Sequence, residues 1–74
     1  PCQIMAGILE QVNAQMSGQL KIVKIDSDKY EQLAVQHRVY ALPTLLLFKN
    51  GQPVDRIEGV MQAPDLIQRL QSFL

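Results

Sequence analysis

The sequence feature that most constrains the fold is a short apolar run followed closely by a turn signal. The run consists of four consecutive apolar residues, Leu45, Leu46, Leu47 and Phe48. An uninterrupted apolar strand is typical of a sheet covered on both faces, which implies helices above and below it. Asn50 and Gly51 follow after one lysine, and both tolerate the positive φ angles of a tight hairpin turn. The pattern predicts a strand over residues 44–48 and an antiparallel return strand over residues 52–58.

Helical periodicity flanks this hairpin on both sides. Residues 3–16 form one helix with apolar side chains on a single face, namely Ile4, Met5, Ile8, Leu9, Val12 and Met16. Pro64 suits the first turn of a last helix whose buried face is predicted to be Leu66, Ile67, Leu70, Phe73 and Leu74. Both helices therefore expose one polar face and cover the sheet with the other.

Two weaker patterns lie between the first helix and the hairpin. Residues 20–25 are short and rich in β-forming side chains, so they predict a strand. Asp28 and Glu31 form a capping-box pattern that opens a helix to about residue 38, with inward side chains Tyr30, Leu33 and Ala34. The expected fold class is α/β, in the order helix, strand, helix, strand, strand, helix.

Composition excludes several function classes. The chain has 74 residues and no net charge, which fits one globular domain and shows no basic stripe for nucleic acid. Its apolar runs are far shorter than the ~20 residues of a membrane span, and its start lacks a signal-peptide pattern. One cysteine excludes an internal disulfide and a cysteine-cluster zinc site. Because Pro1 and Cys2 open directly into a helix without an initiator methionine, we expect a partial chain.

Several of these features occur together in one known family. Pro1 and Cys2 match the last two residues of the W-C-G-P-C redox motif, at the start of a long helix. Residues 40–51 match a cis-proline loop, a strand and a hairpin turn, and Gly59 matches the glycine that follows. On these matches all 74 residues resemble the thioredoxin family, and residues 55–60 resemble plastid y-type and cyanobacterial members. Gly7 departs from the pattern, since most members have a proline there.

The resemblance implies a partial thioredoxin domain over residues 1–74. The fold would be thioredoxin-like but incomplete, because the family's first strand, first helix and central strand lie upstream of Pro1. The central strand normally separates strands 20–25 and 44–48, so both would keep an unpaired edge. Three outcomes are open: the two strands pair with each other, two chains associate through these edges, or the edges stay unpaired.

The resemblance also implies a site. Cys2 matches the resolving cysteine, while the nucleophilic cysteine and a buried acid lie upstream. Pro43 matches the cis-proline, and the backbone of Leu42 would pair with an extended target peptide. Gly59 and Val60 match the other side of that groove. The alternatives are an ordinary trans Pro43 at a strand start and a simple turn glycine at Gly59.

The implied function is that of a thiol–disulfide oxidoreductase. The intact protein would reduce disulfides in target proteins and be recharged by a thioredoxin reductase, with no metal or organic cofactor. The 74-residue chain alone is expected to be inactive, because one cysteine cannot cycle between dithiol and disulfide. The alternatives are a docking module without redox turnover and a fragment without a function of its own.

Other expectations concern the cell and the remaining residues. The resemblance is compatible with the cytoplasm or, alternatively, the plastid stroma. Cys2 lies at the positive end of a helix dipole, so we expect a reactive thiol that can form intermolecular disulfides. His37 has no metal-ligand partner at suitable spacing and is interpreted as a helix-end histidine. Lys24 matches a lysine that pairs with the upstream acid and is expected to be solvated.

Overall fold

The computed structural model describes residues 1–74. Its elements in chain order are helix α1 (Cys2–Gln15), helix α2 (Glu31–Gln36), strand β1 (Thr44–Lys49), strand β2 (Gln52–Glu58) and helix α3 (Ala63–Gln71). The chain divides into two units. The helical unit comprises Pro1–Val23 and Val60–Leu74, and the hairpin unit comprises Lys24–Gly59.

The predicted hairpin is confirmed. Strands β1 and β2 pair antiparallel, with Lys49 opposite Gln52 across the turn. Asn50 and Gly51 have φ angles of 55° and 79°, which are the left-handed values that this turn requires. The register shifts after Leu47, so that the return strand carries a bulge. The hairpin is therefore determined locally, by its two turn residues.

The apolar run is less buried than its pattern predicts. Leu45, Leu46 and Leu47 are half-buried, and Phe48 is 47% exposed. The expectation of a strand covered on both faces is thus wrong for this structure. The reason is that a packed helix covers the face of a sheet, and the helix of the hairpin unit, α2, does not pack against β1 or β2.

The predicted strand over residues 20–25 does not form. Residues 21–26 lie in no helix or strand, and Leu20 makes only an isolated bridge to Ser17. A strand is stable only when its N–H and C=O groups meet a neighbouring edge. The sheet pairs β1 with β2 and with nothing else, so the re-pairing of the two strands is also excluded here.

The start of α2 differs from the predicted capping box. The Asp26 carboxylate accepts hydrogen bonds from the backbone N–H groups of Asp28, at 2.9 Å, and Lys29, at 3.4 Å. This local turn takes the place of a cap by Asp28, because an aspartate side chain readily bonds to the backbone two residues ahead. Tyr30 precedes the helix without a side-chain cap.

Helix α2 is short and does not bury its predicted face. It ends at Gln36 rather than near residue 38, and Ala34 is only half-buried. Tyr30 and Leu33 are 48% and 41% exposed, so their predicted inward position is wrong. A helix of six residues offers little apolar surface of its own and depends on tertiary neighbours for stability.

The helical unit has the core that the periodicity predicts. Helices α1 and α3 pack together, and the buried side chains are Met5, Ile8, Val12, Met16, Ala63 and Leu66. The predicted inward positions of Ile4 and Leu74 are wrong, since they are 59% and 62% exposed. Leu74 lies beyond the end of α3 at Gln71, where the helical spacing no longer applies.

The ends of α1 are defined by backbone groups. Pro1 is the N-cap, and its carbonyl accepts a 2.9 Å hydrogen bond from the N–H of Met5. At the other end Gly18 has a φ of 83°, which turns the chain away from the helix axis. Cys2 is consequently the first helical residue.

Candidate functional site

The predicted cis bond is present in the hairpin unit. The peptide bond between Leu42 and Pro43 is cis. We call residues 39–43 the cis-proline loop. Pro43 is buried, whereas Leu42 is 57% exposed. The hydroxyl of Thr44, directly after the loop, donates a hydrogen bond to the carbonyl of Ala41. The loop thus buries its proline and presents Leu42 outward.

The loop is tied to the residue that follows β2. The N–H of Gly59 donates a 2.9 Å hydrogen bond to the carbonyl oxygen of Pro43. Thr44 pairs with Glu58 in the hairpin, so this bond extends the ladder by one step. Gly59 has a φ of 85°, a conformation that favours glycine. Pro43 and Gly59, predicted separately as site residues, are therefore brought together.

The main-chain groups of Leu42 have no partner within the chain. Neither its N–H nor its C=O takes part in an intramolecular hydrogen bond. Exposed, unpaired backbone groups beside a sheet can bind an extended peptide by forming main-chain hydrogen bonds with it. Val60 is 42% exposed and directly follows Gly59 in sequence.

The thiol lies in the other unit. Cys2 is exposed and unpaired, at the first position of α1, with Pro1 before it. An exposed thiol at a helix N-terminus can attack a disulfide or form a mixed one. The single cysteine of the chain cannot by itself donate two electrons by closing an internal disulfide.

One interaction at the loop was not predicted from the sequence. Arg56 on β2 donates hydrogen bonds from Nη1 to the carbonyl of His37 and from Nη2 to the carbonyl of Arg38. Its Nε donates to Glu58 Oε1 at 2.8 Å, in an ion pair. One sequence feature could have indicated this interaction. Arg56 is next to Ile57, which is buried, and neighbouring side chains of a strand point to opposite faces of the sheet.

The remaining candidates have structural roles or none. His37 follows the last residue of α2, as expected, and its ring meets Phe48 edge-on at 5.6 Å between centroids. Lys24 is exposed. No group of three or more His, Cys, Asp or Glu side chains lies close enough together to hold a metal ion. None of the three helices has both the length and the apolar character to cross a membrane.

Known proteins are similar to this chain in sequence and in fold. The thioredoxin family model matches residues 1–72. A thioredoxin-like protein of Synechocystis is 58% identical over the whole chain, which spans 70% of that protein. Thioredoxin Y1 of Arabidopsis thaliana, a chloroplastic protein, is 45% identical, but the chain spans only 43% of its length.

A solved structure agrees with this match. Chloroplastic thioredoxin z superimposes with a TM-score of 0.87 at 35% identity, over 97% of this chain and 66% of that one. The expected thioredoxin-like α/β fold is therefore confirmed, with two strands and three helices present. The family match extends from Pro1, through the cis-proline loop and the hairpin, to α3. The chain belongs to the thioredoxin family.

Proposed function

We propose that the intact protein is a thiol–disulfide oxidoreductase that reduces disulfides in target proteins, with Cys2 as its resolving cysteine. The observation that carries the proposal is the exposed, unpaired thiol of Cys2 at the first position of α1, within a thioredoxin family match. In this proposal the nucleophilic cysteine precedes Pro1 in the intact protein.

The reaction conserves atoms and electrons in two exchange steps. The upstream thiolate attacks one sulfur of the target disulfide, forms a mixed disulfide and releases the first target thiolate, which takes up a proton. The Cys2 thiolate then attacks the upstream sulfur, forms a disulfide within the protein and releases the second target thiol. The target gains two electrons from the protein, and a reductase of the thioredoxin reductase type supplies two electrons that reduce the protein's disulfide to the dithiol again.

The cis-proline loop serves as the docking element in this mechanism. An extended target segment would form main-chain hydrogen bonds with Leu42, beside Pro43, and Gly59 would line the second side. The exposure of Leu42 and the unpaired state of its N–H and C=O groups support this role. Gly59 adds no side chain, so a peptide backbone can approach it closely.

Insulin reduction tests the proposal directly. Insulin is mixed with dithiothreitol and either the intact protein or the 74-residue chain. The precipitation of reduced insulin is then followed. We expect catalysis by the intact protein and none by the 74-residue chain, since the latter holds one cysteine. The intact protein with Cys2→Ser is the matched control. An inactive intact protein would instead favour the docking module.

Location and partners follow from the same proposal. Cytoplasm and plastid stroma are both reducing compartments in which free thiols persist, and two of the proteins described above, thioredoxin Y1 and thioredoxin z, are chloroplastic. The unpaired edge of β1 and the Cys2 thiol offer two routes to self-association of the 74-residue chain.

A further inference from the structure

We infer that Arg56 is a positioning residue for target docking, acting through the cis-proline loop rather than through contact with the target. The inference rests on the proposed function, because it assigns a task to the loop that would bind the target. It concerns only the hairpin unit, which contains all the residues involved.

The guanidinium group joins two segments that are distant in sequence. Its two Nη atoms donate to consecutive carbonyls, those of His37, which is the C-cap of α2, and of Arg38, which follows it. The last carbonyls of a helix have no partner within the helix and need one from elsewhere. Arg56 supplies that partner from the middle of β2, 19 and 18 residues further along the chain.

The carbonyls that Arg56 binds lie just before the cis-proline loop. Arg38 directly precedes the loop and has a φ of 55°, a left-handed conformation that non-glycine residues seldom adopt. The exit of the loop is held by the hydrogen bond from Gly59 to Pro43. Both anchors come from the same stretch of chain, since Glu58 pairs with Arg56 and is followed by Gly59.

The loop is therefore held at both ends, and Leu42 between them is free of hydrogen bonds. A binding segment that is already ordered loses less entropy when a peptide docks on it. Loss of the Arg56 hydrogen bonds would let the loop sample other conformations. A docking peptide would then have to order the loop again. The expected consequence is weaker binding of targets that need an extended main-chain contact.

The side chain has to be arginine for this task. A planar guanidinium presents several N–H groups in a fixed fork, which suits two neighbouring carbonyls and one carboxylate together. A lysine ammonium keeps the charge but lacks the fork. Arg56→Met keeps most of the apolar stem and removes the donors, whereas Arg56→Lys keeps the stem and the charge but not the planar fork. Lys21→Met is the matched control, because Lys21 is exposed and takes part in no hydrogen bond or ion pair.

The experiment measures reduction of two substrates by the intact protein and its variants. Insulin has to dock as a polypeptide, whereas 5,5′-dithiobis(2-nitrobenzoate) is a small disulfide that needs no extended contact. For Arg56→Met and Arg56→Lys we expect KM for insulin to rise about fivefold or more, which is the scale of one lost hydrogen bond. The rate with the small disulfide and both rates of Lys21→Met should stay within about twofold of the unmodified protein, a margin well under the tenfold that 1.4 kcal/mol represents.

Amide hydrogen exchange provides a readout that a general loss of stability would not reproduce. We expect the amide of Val39, which donates a 2.8 Å hydrogen bond to the carbonyl of Ala34, to exchange faster in both Arg56 variants, while the amides of α1 keep their protection. An unchanged KM for insulin, an equal loss with both substrates, or failure of both variants to fold would overturn the inference. If the unmodified protein does not reduce insulin, the proposed function fails, and exchange at the Val39 amide still decides whether Arg56 holds the loop.

Discussion

The backbone N–H of Gly59 and the carbonyl oxygen of Pro43 are joined by a 2.9 Å hydrogen bond. This bond links the cis-proline loop to the residue that follows β2, and its two partners are 16 residues apart in the sequence. It requires that Gly59 keep its φ of 85°. Two residues that the family resemblance assigns to opposite sides of a target groove are thus in direct contact through their main chains.

Gly59→Ala should lower the stability of the intact protein. No heavy atom lies within 4 Å of the position that a Cβ would occupy, so the cost comes from the backbone conformation alone. A left-handed φ costs an alanine about 1–2 kcal/mol relative to glycine. Urea unfolding followed by circular dichroism measures this loss. An unchanged midpoint would contradict the need for a positive φ at this position.

Gly7→Ala should have the opposite effect. Gly7 lies within α1, and a Cβ there would meet nothing within 4 Å. Replacing a mid-helix glycine by alanine removes a backbone entropy cost of about 0.5–1 kcal/mol. The same urea experiment should therefore show an increase in the free energy of unfolding. A decrease would mean that α1 has a different conformation at Gly7.

Leu66→Ala should destabilise the helical unit strongly. Leu66 is fully buried, with 0% of its surface exposed, at a position where α3 and α1 form the core. Truncation of a buried leucine leaves a cavity and costs about 2–5 kcal/mol. Leu74→Ala is the matched control, because Leu74 is 62% exposed, and exposed substitutions usually stay within about 0.5 kcal/mol. Thermal unfolding of both variants would reveal whether the two leucines differ as expected.

Cys2→Ser should trap a reaction intermediate. Under the proposed mechanism the upstream cysteine still attacks the target, but no thiol at position 2 resolves the mixed disulfide. We expect a covalent complex with a disulfide-containing target that survives a non-reducing gel and disappears with dithiothreitol. Gly7→Ala, which retains the thiol, should not accumulate the complex. Undiminished turnover by Cys2→Ser would remove Cys2 from the mechanism.

The Cys2 thiol should react without prior unfolding. It is exposed and is the only cysteine of the 74-residue chain, so each labelled molecule reports this one site. We expect one equivalent of iodoacetamide to be incorporated in native buffer, and a disulfide-linked dimer to form under mild oxidation. Mass spectrometry measures both products. A thiol that reacts only in denaturant would contradict the exposed position.

Expectations based on neighbouring residues were met more often than those that needed a distant partner. The turn at Asn50 and Gly51 and the helix α1 both depend on contacts within a few residues, and both are present. The cis bond before Pro43 followed from the family resemblance rather than from local chemistry. The strand over residues 20–25 failed because a strand forms only when it pairs with a neighbouring edge, and the sheet of this chain contains β1 and β2 alone.

Competition between similar local signals explains another error. Asp26 and Asp28 both precede α2, and either carboxylate could accept a hydrogen bond from the backbone ahead of it. The structure uses Asp26, whose carboxylate bonds to the N–H of Asp28. Two aspartates at neighbouring positions cannot be ranked by residue type, since the choice depends on how the chain enters the helix.

The amino-acid sequence alone determined the family, the hairpin turn, the apolar face of α1 and the separate candidates Cys2, Pro43 and Gly59. These depend on motif identity, or on φ preferences and side-chain spacing that act over a few residues. Only the tertiary structure decided that Gly59 bonds to Pro43 and that Arg56 holds the carbonyls of His37 and Arg38. Such contacts join residues far apart along the chain, and their geometry exists only once the hairpin has brought those segments together.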